Sequence, residues 1–220
     1  MNSIVKEKRY ISEKLGVPYE SLSQSYLRAE TKVETTSKID FTLQRNKATS
    51  QNVTERLLDL NDEFVITHFF VGVRGDSGAV TPTDLDALTS VVQTYECPQA
   101  FPGAGATNVG AIYNSNLNFT IDRTEFIPQF PCKAFRRVPF QQVLEYIDPV
   151  SGDPFRNGKN GFTNGLYGFA NSEPTLINGR QTLDLSIDLG TSVAVNDRAS
   201  TGVNIFAVFE ARGYLVVNAK

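Results

Sequence analysis

Thr182-Leu183-Asp184-Leu185-Ser186-Ile187-Asp188-Leu189 sets a leucine or isoleucine at every second position, with a polar residue between each pair. Successive side chains on a strand point to opposite faces, so this stretch has one dry face and one wet face. Two other segments repeat the pattern. Ile39, Phe41 and Leu43 alternate with polar neighbours across Lys38–Gln44, and Leu117, Phe119 and Ile121 do so across Asn116–Asp122. Segments of this kind form the walls of an antiparallel β-sandwich. Glu63–Val73 differs, because Phe64, Val65, Ile66, Phe69, Phe70 and Val71 supply apolar groups to both faces. Such a strand is expected in the middle of a sheet, covered on both sides. Pro128 and Pro131 confine Thr124–Phe130 to an edge or a bulge. Val203–Val217 runs unusually far, and Gly213 marks a bulge or bend within it. The expected fold class is therefore all-β: an antiparallel sandwich with short inserted helices.

The remainder of the chain divides around these strands. Ile4, Ile11 and Leu15 recur at near-heptad spacing among charges, which predicts a short amphipathic helix ended by Gly16 and Pro18. Residues 1–37 are expected to be an N-terminal helical arm outside the β core, and 38–220 the sandwich domain. Thr81 and Thr83 are candidate caps for a short helix over 82–92. Pro102-Gly103-Ala104-Gly105 marks a loop over Pro98–Thr107. Phe140, Val143, Leu144 and Ile147 follow Pro139 at helical spacing. From 148 to 179 the chain is rich in Gly and Asn, with Phe155, Phe162, Tyr167 and Phe169 interleaved. A long loop carrying aromatics is expected to pack on something rather than to be disordered.

Composition removes several kinds of chemistry. The chain has 220 residues, a net charge of −3, no Trp and a single histidine. Residues 1–34 carry Lys6, Lys8, Arg9, Lys14, Arg28 and Lys32 against five Glu, so the arm is nearly neutral. Nucleic-acid contact is expected to be weak or absent, since such binding rests on many cationic contacts to phosphates. His68 sits inside the most apolar strand and is expected to be a hydrogen-bonded core residue rather than a catalytic base. No nucleophile elbow and no P-loop occur; Gly158-Lys159 precedes Asn160 and lacks the upstream glycine. Asp59-Leu60-Asn61-Asp62-Glu63-Phe64 has phenylalanine where a calcium loop needs glycine. Cys97 and Cys132 are far from any zinc spacing, and their number permits one disulfide or two free thiols. No signal peptide and no membrane span are expected, because Ile4-Val5 runs at once into Lys6-Glu7-Lys8-Arg9. The chain is read as a non-enzyme without cofactor or metal.

The strands at 38–44, 63–73, 116–122, 181–189 and 203–217, with an N-terminal arm and elaborated loops, resemble viral jelly-roll coat proteins. The Trp-free, Asn/Thr/Phe-rich character looks like structural proteins of bacteriophage virions. That resemblance implies a jelly-roll-like sandwich and a capsid subunit, made in the host cytoplasm and located in the virion. It implies self-assembly into a large homo-oligomer, with other virion proteins as further partners. Ile4, Ile11, Leu15 and Tyr19 in the arm, and Phe155, Phe162, Tyr167 and Phe169 in the loop, would then grip neighbouring subunits. Jelly rolls also serve as lectins and as cupins. One histidine cannot build a cupin metal site. The alternative is a carbohydrate- or receptor-binding sandwich using the same loops.

Overall fold

The computed structural model describes residues 3–48, 54–76, 92–96, 105–137, 146–147, 154–155, 170–194 and 204–216. Two four-stranded antiparallel sheets dominate them. The strands are β1 (Leu22–Lys32), β2 (Thr35–Phe41), β3 (Glu63–Asp76), β4 (Asn116–Ile121), β5 (Thr124–Pro131), β8 (Ala170–Asn178), β9 (Leu183–Ala194) and β10 (Asn204–Val216); a small ribbon joins β6 (Tyr146–Ile147) to β7 (Pro154–Phe155). The first sheet has the order β1-β10-β3-β8 and the second β2-β9-β4-β5. Setting the small ribbon aside, the first strand pairs with the last, the second with the seventh, the third with the sixth and the fourth with the fifth. The chain is thus one long hairpin, folded so that β10 also pairs with β3 and β9 with β4.

The alternating segments behave as their patterns require. Leu183, Leu185 and Ile187 of β9, Leu117 and Phe119 of β4, and Ile39 and Phe41 of β2 turn into the space between the sheets. Lys38, Asp40, Asn116, Asp184 and Asp188 face water. Phe209 is fully buried and meets Phe41 at 6.1 Å and Phe119 at 6.4 Å between ring centres. Tilted and edge-on ring pairs of this kind add to the area term. β3 is an interior strand. β5 is an edge strand whose register slips around Pro128, and Gln129 there takes φ 47°. Edge and bulge therefore both accommodate the prolines. The β4–β5 turn is Asp122-Arg123, with φ 49° and 70°, the left-handed pair that matches strand twist in a two-residue hairpin. Asp122 holds that geometry from outside, accepting the Thr182 N–H at 2.8 Å.

Several expectations change. Residues 22–37 are not an appended arm: β1 pairs along its whole length with β10, and Leu27, Ala29 and Val33 belong to the main core. Of the residues expected in the arm, it is α1 (Ser3–Leu15) and the short turn after it that precede the first sheet strand. The segment 148–179 is not a continuous loop, since β7 and β8 fall within it. The stretch read as a loop to Thr107 starts α2 (Gly105–Tyr113), whose Val109, Ile112 and Tyr113 are buried. Ile147 ends in β6 rather than in a helix. The helix expected over 82–92 and the residues Phe140, Val143 and Leu144 lie outside the described residues, except for Val92. That residue is buried and precedes Gln93, which bridges to Val73 through two backbone hydrogen bonds.

Gly213 is required by close approach. A β-carbon there would lie 1.8 Å from the Val65 carbonyl oxygen. Gly213→Ala is expected to lower stability by about 1–3 kcal/mol or more, because the β3–β10 ladder must spread to admit the methyl group. A urea-unfolding midpoint equal to that of the parent chain would refute this close packing.

Candidate functional site: the outer face of the first sheet

Sheets of a sandwich bury one face each, so function is sought on the outer faces and at the ends. The outer face of the second sheet exposes Lys38, Asp40, Asn116, Asp184 and Asp188 to water. The first sheet is different, because its outer face is built up in three zones.

The zone nearest the β1 start is covered by α1. Its sequence makes one apolar stripe, and Gly16 with φ 69° stops it, the Gly16 N–H returning to the Ser12 carbonyl at 2.9 Å. Ile11 is fully buried, packed with Val17, Leu22, Val65, Tyr214 and Val216 in a small core separate from the one between the sheets. Polar contacts pin the helix at its middle and near its C-terminal end. Lys8 donates to the Leu22 carbonyl at 2.5 Å, Tyr214 donates its hydroxyl to Glu7 at 3.0 Å, and Lys14 pairs with Glu173 of β8. Burial, the hydrogen bond to Glu7 and its charge push the Tyr214 phenol up to about 12.

At the far end lies an enclosed ionic cluster. The Glu30 carboxylate accepts Arg28 and Thr54 on one oxygen, at 2.8 and 2.7 Å, and Arg74 on the other, at 2.7 Å. The Arg74 guanidinium also stacks on Phe206, 4.4 Å from the ring centre. Burial alone would raise the Glu30 pKa; the hydrogen bonds from Arg74 and Thr54 and the charges of Arg74 and Arg28 outweigh it and hold the carboxyl below its usual range. A charge this deeply paired reads as scaffold, since its partners satisfy it completely.

Between these zones the sheet opens into a groove of about 570 Å³. Its cause is a bulge. Ile66 pairs with Gly213 and His68 with Arg212, so Thr67 is an extra residue on β3. The inward set therefore switches from Phe64 and Ile66 to Phe69, Val71 and Val73. Thr67 and His68 both turn outward, and Gly213 beside them has no side chain to fill the gap. His68, expected in the core, is half-buried and lines this groove. Its Nδ1 lies 2.8 Å from the Thr67 hydroxyl, which donates to the Arg212 carbonyl at 3.2 Å.

Of the anticipated interface residues, Ile4, Ile11 and Leu15 lie on α1 and Tyr19 in the turn after it. Ile11 is fully buried against its own sheet, so it presents no exposed surface on the described chain. Leu15 and Tyr19 are half-buried in the same region, and Lys8 lies 5.5 Å over the Tyr19 ring. Ile4 is 37% exposed on α1, and Tyr10, which the apolar spacing missed, is 51% exposed. The Phe155 backbone lies in β7, while Phe162, Tyr167 and Phe169 lie outside the described residues.

Cys132 is a free, buried thiol whose pKa burial pushes up to about 12, so it is a poor nucleophile. Among the described residues no group of His, Cys, Asp and Glu is arranged to hold a metal, and no helix is long and apolar enough to cross a membrane. No protein-family model, no curated protein and no solved structure matches this chain.

Proposed function

We propose that this chain is a jelly-roll structural subunit of a virion, which assembles with copies of itself into a capsid. The observation carrying this reading is the nested pairing of the eight long strands, first with last through fourth with fifth, in sheets β1-β10-β3-β8 and β2-β9-β4-β5. Nested pairing of eight strands across two sheets supports a jelly-roll reading, an architecture used by viral capsids and by lectins. The choice between these uses rests on where contacts remain to be made. Two of the four sheet edges, β1 and β5, are blunted against strand addition. Arg56 caps β1 through backbone bonds of 2.8 and 2.9 Å to Arg28, and Pro128 and Pro131 interrupt β5. Neighbouring copies would therefore meet through α1, with Ile4 and Tyr10 outward, and through the segments at the ends of the sandwich. Many modest contacts of this kind reinforce one another in a closed shell. Other virion proteins are the further partners of such a subunit, the virion is its location and the host cytoplasm its place of synthesis. The near-neutral N-terminal region supports little contact with genome.

The test is the size of the purified chain by sedimentation and electron microscopy. Closed particles of uniform diameter are expected. A stable monomer or trimer at every concentration and salt would overturn the capsid reading in favour of a receptor-binding module. In the particles, Ile4→Glu together with Tyr10→Glu is expected to shift most of the protein to small species, with an unchanged unfolding midpoint.

A further inference from the structure

We propose that the bulge-made groove on the outer face of the first sheet is a binding site for neutral oligosaccharides. Three features of the groove lead there. The first is its origin: a bulge at Thr67 opposite Gly213 opens a hollow in an otherwise regular sheet and aims an imidazole into it. Bulges recur where a strand must redirect a side chain towards a ligand. At about 570 Å³ the groove lies within the ~300–1,000 Å³ span of small-molecule sites.

Charge compensation is the second. The wall carries two guanidiniums, Arg28 and Arg212, and two carboxylates, Glu7 and Glu210. Each is engaged locally: Arg212 meets Glu210 at 3.2 Å, Arg28 meets Glu30 at 2.7 Å, and Glu7 accepts the Tyr214 hydroxyl. A phosphate or a metal cation would find its charge already answered. A ligand made of hydroxyl groups, each a donor and an acceptor, fits a wall of paired planar polar groups.

The third is the row across the floor. Tyr26, Arg212 and His68 stand side by side on β1, β10 and β3, with Gln24 beside Tyr214 in the next outward row. Tyr26 is 41% exposed, and the Arg56 guanidinium holds its ring from 5.4 Å. An aromatic ring placed beside bidentate polar groups offers a face for sugar C–H bonds and partners for the hydroxyls around them. The Thr67 hydroxyl donates to the Arg212 carbonyl and lies 2.8 Å from His68 Nδ1; with Nδ1–H donating to that hydroxyl, Nε2 would accept from a ligand hydroxyl.

The test is calorimetric titration of the full chain with di- and trisaccharides of glucose, galactose, mannose and N-acetylglucosamine, with sialyllactose and inorganic phosphate as charged probes. Saturable binding of at least one neutral sugar is expected. Tyr26→Ala and His68→Ala are each expected to weaken it at least tenfold, and Tyr10→Ala, on the outward side of α1, to leave it unchanged. Should either groove variant fail to fold, competition with a diazirine-bearing form of the bound sugar on the parent chain, followed by peptide mapping, replaces it; labelling is expected within residues 24–28, 67–68 or 210–214. No neutral sugar bound at 10 mM, tighter binding of phosphate or sialyllactose, or labelling elsewhere would each overturn the assignment. Particle formation is scored separately in Tyr26→Ala and His68→Ala and is expected to be intact in both, so the site and the capsid reading fail independently.

Discussion

Removing residues 1–30 is expected to leave no folded protein, whereas removing residues 1–15 leaves a sandwich that still folds. The longer truncation deletes β1 to its last two residues. Leu27 and Ala29 leave the main core, Leu22 leaves the small one, and β10 loses a partner along Phe206–Val216. Each large core side chain lost costs about 2–5 kcal/mol. Loss of Glu30 strips Arg74 of the carboxylate that neutralises it in an enclosed site. The sum exceeds the roughly 5–15 kcal/mol that holds a domain together. The shorter truncation removes Ile11 and Leu15 and uncovers Val65, Tyr214 and Val216, while the core between the sheets keeps every member. It is expected to cost about 2–5 kcal/mol, the range for one large buried side chain. Circular dichroism and urea unfolding of both proteins check this. A cooperative transition from the 31–220 chain would refute the place of β1 in the first sheet. The same 16–220 chain bears on assembly, since it lacks Ile4 and Tyr10: it is expected to stay small, and normal particles from it would remove α1 from the subunit contacts.

Glu30→Ala is expected to destabilise the protein by about 3–5 kcal/mol at neutral pH, the cost of breaking an enclosed ion pair from one side. Both Arg28 and Arg74 face that carboxylate, and its side chain has no exposure to water. Replacing the whole cluster, with Arg28→Met, Glu30→Leu and Arg74→Met together, is expected to recover much of the loss, because uncharged neighbours need no counterion. The pH dependence has a definite sign. The folded-state pKa of Glu30 is lowered, so its contribution is complete above the ordinary glutamate value of about 4.3 and is lost as pH falls through the folded value. Urea unfolding between pH 7 and pH 3 should show stability dropping below about pH 4.3, and Glu30→Gln should flatten that limb. A Glu30→Ala midpoint within 1 kcal/mol of the parent would mean that the pair contributes little.

Where the sequence was legible, one physical signal dominated locally. Strict alternation in β2, β4 and β9 reports a wall with one wet face, and the structure places those strands side by side in the second sheet. Pro128 and Gly213 are legible because each has few permitted places in a sheet. β1 and β8 were missed for the converse reason. Ser23, Gln24 and Ser25 in β1, and Asn171, Ser172 and Glu173 in β8, dilute the apolar rows, and both strands lie at the edges of the first sheet. An edge strand borrows its stability from its neighbour and can carry a weak pattern. α2 was hidden because glycine and alanine around Val109 resemble a loop, and the packing of Ile112 and Tyr113 makes them helical.

The amino-acid sequence by itself determined the fold class of this protein: period-two apolar rows leave a two-walled β body as the arrangement that buries them. Only the tertiary structure decided which strands are neighbours, that the N-terminal helix is docked on its own sheet, and that Tyr26, Arg212 and His68 share one row. Alternation reports the face on which a side chain lies. Pairing partners are chosen by contacts between residues far apart in the chain, and a one-residue bulge at Thr67 moves His68 from the core to a groove without leaving any mark in the local pattern.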